Sequence, residues 1–351
     1  MRWIAVACGL AAGCGRFGFP VEHATGDAAA PDALDAAGDG GMPDAAPLPN
    51  YVFVASTNQD VCATSIAGAD AVCKARAIAG GLPGTYLAWY SSPTVNARDR
   101  FGSARGWIRR DGLPFGDTMV EIVAGGVDYP ARLDEFGTDL GFATTQTATT
   151  SAGAYDSVNG CKVGGLALYG GTNWGSGFVV PPSHVLCFGV DRAVPVTVAP
   201  PTNRIAFVST ALFLPASGIA AADQLCMNEA KVPGTFRAFL PTTAVSAASR
   251  FDLTKSPWQR PDGVAIVAVA GDLATWNTIA ATDVLANGKY SGGGSVWTGD
   301  QVKVPTFAST CNDWTSATPM GRTTEGDVSQ QYGGGFNLSC GSAHAVFCLQ
   351  L

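Results

Sequence analysis

From Tyr51 onward the chain carries short apolar runs rich in β-branched and aromatic residues, and polar turns separate them. Such runs predict strands at 51–56 and 205–210. Ile66, Ala69, Cys73 and Ala77 lie near helical spacing, which predicts an amphipathic helix with the cysteine on its apolar side. The predicted helices of this type span 66–79 and 219–230.

The same motifs occur twice in the same order. Tyr51-Val52-Phe53-Val54 matches Ile205-Ala206-Phe207-Val208. Further matching pairs are Ala69-Asp70-Ala71-Val72-Cys73 with Ala222-Asp223-Gln224-Leu225-Cys226, Leu82-Pro83-Gly84-Thr85 with Val232-Pro233-Gly234-Thr235, and Arg100-Phe101 with Arg250-Phe251. Matching residues stay about 150 positions apart, so we interpret the pattern as an internal repeat.

Each copy also predicts a second strand and a second short helix. The strands are expected at 86–89 and 236–240, and the short helices at 94–101 and 244–251. Short strands, few helices and long loops predict an α+β domain in each copy. The predicted organisation is a signal peptide at 1–14, a stalk at 15–50, domain one at 51–190, a linker at 191–204 and domain two at 205–351.

The N-terminal segment predicts export. Met1-Arg2 precedes an apolar run, and Leu10-Ala11-Ala12-Gly13-Cys14 resembles a bacterial lipobox, in which the cysteine becomes acylated. The leucine lies one position further upstream than usual, so an ordinary secretory signal is the alternative. The Asp-, Ala- and Pro-rich residues 15–50 cannot bury enough apolar surface to fold, which predicts a disordered stalk.

Composition narrows the possible partners. Only 14% of residues are charged and the net charge is −7, which argues against nucleic acid as a partner. No apolar run reaches the ~18 residues of a membrane helix, so membrane contact is expected only through the lipid anchor. We expect a monomer.

Ten cysteines without metal-type C-x-x-C pairs favour disulfides in an oxidising compartment. Pairing within each copy leaves three connectivities per copy. The cysteines that recur in both copies pair the helix with the final strand, as Cys73–Cys187 and Cys226–Cys348. The remaining residues predict Cys311–Cys340 and Cys62–Cys161. Free buried thiols are the alternative.

The motifs resemble a known family. The Ala-Gly-Ala-Asp-x-x-Cys helix, the Leu-Pro-Gly-Thr strand, Val296-Trp297-Thr298-Gly299 and Cys311-Asn312-Asp313-Trp314-Thr315 are similar to bacterial endostatin-like repeats (domain of unknown function 1554), which are known from leptospiral surface lipoproteins. The resemblance covers about 51–190 and 205–351. It implies two tandem C-type lectin-like domains, each with two helices on a small twisted mixed sheet. Some members bind extracellular matrix or host plasma proteins.

The sequence carries no catalytic motif that we recognise. His23 lies in the stalk, and His184 and His344 lie beside the final strands. Adjacent carboxylates such as Asp134-Glu135 are typical of a turn. We therefore expect a non-enzyme without a cofactor or metal. The alternatives are a calcium-dependent lectin, which Gln259-Arg260-Pro261-Asp262 fits poorly, and a hydrolase that uses loop carboxylates such as Asp313 and Asp327.

The two copies differ in their late loops. Where copy two has Cys311-Asn312-Asp313-Trp314, copy one has Cys161-Lys162-Val163-Gly164. Aromatic side chains near a surface often serve recognition. For Trp297 and Trp314, packing within the domain is the favoured role and recognition is the alternative. The candidate ligand contacts are therefore in copy two, at Trp297, Asn312, Asp313 and Trp314, and the expected partner is an extracellular protein or glycan.

Overall fold

Two mixed β-sheets, one from each sequence copy, form the framework of the chain. The structure is a computed structural model, and it describes residues 48–162, 164–166, 170, 174, 183–299, 309–318, 320–326, 329 and 335–351. Cys14, the signal peptide and the stalk up to residue 47 lie outside the described residues, as does Asp327. The described residues belong to one compact unit, which begins at Pro47 and ends at Leu351.

The first sheet has five strands in the order β2-β7-β1-β3-β4. β1 pairs in parallel with β3 and antiparallel with β7, which places the N- and C-terminal strands of copy one side by side. β5 and β6 form a separate antiparallel pair. The strands are β1 (Asn50–Val54), β2 (Tyr86–Ala88), β3 (Trp107–Ile108), β4 (Pro114–Gly116), β5 (Thr144–Gln146), β6 (Gly164–Leu166) and β7 (Leu186–Gly189).

The second sheet repeats this arrangement and extends it. Its strands follow the order β10-β8-β14-β11-β12-β13, and β9 also pairs with β14. β8 pairs in parallel with β10 and antiparallel with β14, as β1 does with β3 and β7. The strands are β8 (Arg204–Val208), β9 (Phe236–Ala238), β10 (Trp258–Gln259), β11 (Ser295–Trp297), β12 (Met320–Glu325), β13 (Asn337–Ser339) and β14 (Ala345–Gln350).

One amphipathic helix packs against each sheet. α1 begins after Ser65, whose hydroxyl accepts a hydrogen bond from the Gly68 N–H, and it buries Ala69, Cys73 and Ala77. Small buried residues let the helix lie close to the sheet. The helices are α1 (Ile66–Ala79), α2 (Met119–Val123) and α3 (Ile219–Glu229), with 3₁₀ turns at Val61–Ala63, Ala97–Arg100, Gly160–Lys162, Pro215–Ser217, Ala248–Arg250 and Ala270–Thr275.

The predicted helices and strands are present with small shifts. The predicted short helices at 94–101 and 244–251 are single 3₁₀ turns at Ala97–Arg100 and Ala248–Arg250. Their Ala and Ser residues bring few large apolar groups to the core, so little packing favours a longer helix. The mixed α+β class is as expected from the sequence.

The four predicted cysteine pairs are all disulfides. Cys73–Cys187 and Cys226–Cys348 tie α1 to β7 and α3 to β14 in equivalent positions. Cys311–Cys340 closes a late loop of copy two, and Cys62–Cys161 joins two 3₁₀ turns of copy one. A bond that closes about 100 residues stabilises a fold by about 4–5 kcal/mol on a loop-entropy estimate.

The two copies pack against each other through the segment after α2 and its counterpart. Arg132 donates to the carbonyl oxygen of Thr278, and Tyr290 donates to the carbonyl oxygen of Val127. The Tyr129 hydroxyl accepts from the Ala265 N–H at 2.7 Å. These contacts run in both directions, so the copies meet through equivalent surfaces.

The connection at 191–204 is also packed. A Cβ added to Gly106 would lie 1.7 Å from the Val194 carbonyl oxygen, and one added to Gly263 would lie 1.9 Å from that of Ala199. The backbone of the connection therefore touches one glycine of each copy, and both glycines have positive φ. The segment fixes the two copies against each other.

Candidate functional site

The indole rings expected to contact a ligand in copy two are core residues. Trp297 and Trp314 are both 0% exposed. Their rings lie edge to face, 5.9 Å apart between centroids. Gly321 leaves space for Trp297 and the Cys311–Cys340 disulfide. The packing role favoured for these two rings is therefore confirmed, and their candidate role as ligand contacts is wrong, because burying them stabilises the fold more than exposing them would.

Asn312 and Asp313 lie on the same segment with different exposures. Asn312 is exposed, and Asp313 is half-buried. The Asp313 carboxylate accepts from the N–H and the hydroxyl of Thr243, at 2.6 and 2.7 Å. Asp313 is therefore engaged in holding two loops of copy two together, which leaves Asn312 as the one exposed side chain of the four candidates.

Cys311–Trp314 forms a left-handed turn. All four residues have φ between 50° and 64°, a region in which non-glycine residues cost about 1–2 kcal/mol each. The disulfide at Cys311, the Asp313–Thr243 hydrogen bonds and the burial of Trp314 offset this cost. The turn is therefore shaped to insert the Trp314 ring into the domain.

Trp314 fills a space between the start of α3 and the segment after β9. Its indole N–H donates to the Pro241 carbonyl oxygen at 2.6 Å. Its own carbonyl oxygen accepts from the N–H of Gly218, the residue that caps α3, at 2.8 Å. Its ring packs beside Phe213. Trp314 thus binds the Pro241 carbonyl oxygen on one side of the space and the Gly218 N–H on the other.

Copy one leaves the equivalent space open. Ser65 caps α1 as Gly218 caps α3, and Ser91 follows β2 as Pro241 follows β9. Both serines line a groove of ≈ 430 Å³. Volumes of this order are typical of sites that bind small ligands or side chains. We call it the copy-one groove, and its lining is Thr64, Ser65, Ile66, Ala67, Tyr90, Ser91, Ser92, Pro93, Ala148, Tyr155 and Cys161.

The backbone around the groove matches copy two closely. Asp70 accepts from the Ala88 N–H and from Arg100, and Arg100 also donates to the Ala88 carbonyl oxygen. Asp223, Ala238 and Arg250 repeat all three contacts. The equivalence of Ser91 and Pro241 therefore rests on hydrogen bonds as well as on sequence.

The walls of the groove are mainly apolar with polar groups at the edges. Tyr90 is 6% exposed, and its hydroxyl donates to the Val61 carbonyl oxygen at 3.3 Å. Burial, and then the nearby Tyr155 and Asp60, raise the pKa of Tyr90, so its phenol stays protonated at neutral pH. The Cys62–Cys161 disulfide anchors the wall at Cys161.

Two further clefts lie in copy two. One of ≈ 280 Å³ lies beside Phe236 and Pro261, and one of ≈ 330 Å³ lies beside Ser209 and His344. The His344 ring packs edge-on against Trp297, and burial lowers the pKa of His344.

The titratable residues considered for catalysis have structural partners. Buried Glu135 accepts from Ser56 and Arg76. Burial by itself would raise the pKa of Glu135, but hydrogen bonds from Ser56, and then Arg76, outweigh it and lower the pKa. Asp134 accepts from the N–H groups of Phe136 and Thr138, which forms the turn predicted for Asp134-Glu135.

The oxygens considered for calcium are also engaged. The Gln259 side chain accepts from the N–H groups of Thr202 and Asn203. Asp262 pairs with Arg260 at 2.6 Å. Within the described ranges, no group of three or more His, Cys, Asp or Glu side chains is placed to hold a metal ion. His184 is hydrogen-bonded to the Ala55 carbonyl oxygen.

The copy-one groove was not among the sequence-based candidates. The sequence difference that points to this groove is that copy one has Cys161-Lys162-Val163-Gly164 where copy two has Cys311-Asn312-Asp313-Trp314. From the sequence alone, the missing tryptophan suggests a lost contact surface. In the fold, the absence of this side chain opens a cavity. No model of a known protein family matches the chain, and no curated protein matches it.

Proposed function

We propose that the chain is a non-catalytic binding protein of the cell surface and that the copy-one groove is its ligand site. The observation that carries this proposal is the difference between the copies at one position. Copy two fills the space beside its helix cap with Trp314, while copy one presents the same backbone frame around an open groove of ≈ 430 Å³.

The groove has the chemistry of a recognition site rather than of a catalytic site. Its lining holds hydroxyls and apolar surface, with no His, Asp, Glu, Lys or Arg among the residues named above. General acid–base and nucleophilic catalysis need a group that titrates near neutral pH or a base that activates a nucleophile. The groove lining offers neither.

Export to the cell surface is part of the proposal. The four disulfides are typical of an oxidising compartment. Among the described residues, no helix is long and apolar enough to cross a membrane. We propose that acylated Cys14 holds the protein at the membrane, that the segment from residue 15 to the start of β1 acts as a stalk and that the two copies are endostatin-like, C-type lectin-like domains.

A binding assay with a groove-blocking variant tests the function. Ala67 lines the groove, is exposed and is the second residue of α1, whereas Ala75 is exposed further along the same helix. The full-length chain with Cys14→Ser, which prevents acylation, is assayed by biolayer interferometry against immobilised extracellular structural proteins and polysaccharides. Ala67→Trp is expected to abolish the binding, and Ala75→Trp is expected to leave it unchanged.

Two results would count against the proposal. Binding to no polymer in the panel would reject the binding function itself. Equal binding by the wild type and by Ala67→Trp would reject the copy-one groove as the site. Circular dichroism and the melting temperature of both variants establish that each is folded.

A further inference from the structure

Copy two shows what chemistry the copy-one groove accepts. Trp314 engages its surroundings through three features: an indole ring between apolar walls, an indole N–H on the Pro241 carbonyl oxygen, and a main-chain carbonyl on the Gly218 N–H. The ring makes a packing contact, and the two hydrogen bonds fix its direction. Together they define a tryptophan residue within a polypeptide.

Copy one has the same acceptor. The Tyr90 N–H donates to the Ala88 carbonyl oxygen, as the Leu240 N–H donates to that of Ala238, and the Ser92–Val95 turn matches the Thr242–Val245 turn. The backbone therefore follows the same path on both sides of Ser91 and Pro241. No described residue donates a hydrogen bond to the Ser91 carbonyl oxygen.

Copy one does not repeat the main-chain donor. Gly218 has φ 83° and Ser65 has φ −81°, so the two N–H groups leave their cap residues in nearly opposite directions. The Gly218 N–H also donates to the Pro215 carbonyl oxygen. The polar feature that the two copies share is therefore the carbonyl acceptor, at Pro241 and at Ser91.

We infer that the copy-one groove binds a tryptophan side chain of a partner polypeptide, whose indole N–H donates to the Ser91 carbonyl oxygen. This inference rests on the proposed function and names its ligand. The apolar walls at Ile66, Tyr90 and Ala148 bury the faces of the ring. Tryptophan is enriched at protein interfaces because it combines a large apolar surface with one donor.

The described tryptophans are not the source of this side chain. In the parts of the chain that the structure describes, every tryptophan is 3% exposed or less. A second copy therefore has no described tryptophan that is accessible for insertion into the groove, and Trp3 lies in the predicted signal peptide, outside the described residues. The proposed occupant is a different polypeptide with an exposed tryptophan.

Short peptides provide the direct test. The full-length chain with Cys14→Ser is titrated with Ac-Gly-Gly-Trp-Gly-Gly-NH₂ and with its Leu and Ala counterparts, and saturation-transfer NMR measures binding. We expect the Trp peptide to bind with a Kd of about 1 mM or tighter and the Leu peptide about tenfold more weakly. Ala67→Trp is expected to abolish the signal, while Ala75→Trp preserves it.

The indole hydrogen bond is tested separately. A peptide with Nε1-methyltryptophan lacks the indole donor, and we expect it to bind about fivefold more weakly.

Three outcomes would overturn the inference. Equal affinity for the Trp, Leu and Ala peptides would exclude an indole site, as would Trp-peptide binding that Ala67→Trp leaves intact. If no peptide binds but a polysaccharide or a protein without exposed tryptophan binds in a manner that Ala67→Trp blocks, the tryptophan inference fails and the proposed function stands. If nothing binds at all, both fail.

Discussion

The indole N–H of Trp314 donates to the carbonyl oxygen of Pro241 at 2.6 Å, which closes in copy two the space that copy one leaves open. The contact is buried and joins the Cys311–Trp314 turn to the segment after β9. It therefore links the stability of copy two to one side chain.

Removing this side chain tests its role. Trp314→Ala is expected to lower the free energy of unfolding by about 3–5 kcal/mol, because a buried aromatic ring is lost and a cavity remains. Free indole at millimolar concentration is expected to raise the melting temperature of Trp314→Ala by refilling the cavity, and to raise it by more than that of the wild type, which has only the copy-one groove to offer. Scanning calorimetry with and without indole measures both effects, and an absence of rescue in a folded variant would contradict the cavity.

The ion pairs Arg100–Asp70 and Arg250–Asp223 are equivalent in the two copies. Disrupting either pair is therefore expected to lower the free energy of unfolding by the same amount. Arg100 and Arg250 are nearly buried, and each donates to one aspartate and to main-chain carbonyls. Asp70→Ala and Asp223→Ala each leave such an arginine without its carboxylate, which we expect to cost about 2–4 kcal/mol. Urea denaturation of each variant measures the cost. A large penalty in one copy and none in the other would show that the two pairs are not equivalent.

Reduction is expected to begin at Cys62–Cys161. Both cysteines of this pair are half-buried, whereas those of the other three pairs are 0–1% exposed. Thiol–disulfide exchange requires access to a sulfur atom, so this bond reacts first with a mild reductant under native conditions. Differential alkylation followed by mass spectrometry of the peptides identifies the order. Earlier reduction of Cys73–Cys187 or Cys226–Cys348 would contradict this prediction.

Asp128 of copy one faces Arg260 of copy two, and its titration makes the free energy of unfolding depend on pH. Burial raises its pKa to about 7, although Arg260, 3.9 Å away, lowers it in part. The folded state then binds a proton that the unfolded state releases between about pH 4 and pH 7. Stability from this group is therefore present at low pH and lost as the pH rises through 7, with a slope of at most about 1.4 kcal/mol per pH unit.

Asp128→Asn tests that sign. The variant keeps the shape of the side chain and removes its titration, so we expect it to be more stable than the wild type at pH 8 and to differ little from it below about pH 4. Urea midpoints at several pH values measure the difference between the two proteins. A difference that grows toward low pH instead would mean that the Asp128 pKa is not raised.

Repetition in the sequence determined much of the architecture. The matched apolar runs predicted β1, β8, α1 and α3 close to their observed bounds, because local periodicity reports which face of an element is buried. The recurring cysteines led to the pairs Cys73–Cys187 and Cys226–Cys348, since residues at equal places in two copies have equal neighbours.

Only the tertiary structure decided where the candidate site lies. The sequence shows that copy one lacks the tryptophan of copy two, but it does not show on which side of a loop that ring points. Trp314 points inward because four consecutive left-handed residues, a disulfide and Asp313 turn it toward Pro241 and Gly218. Its absence therefore opens a groove at Ser65 and Ser91. Such a cavity depends on packing between segments far apart in the chain, which local patterns do not encode.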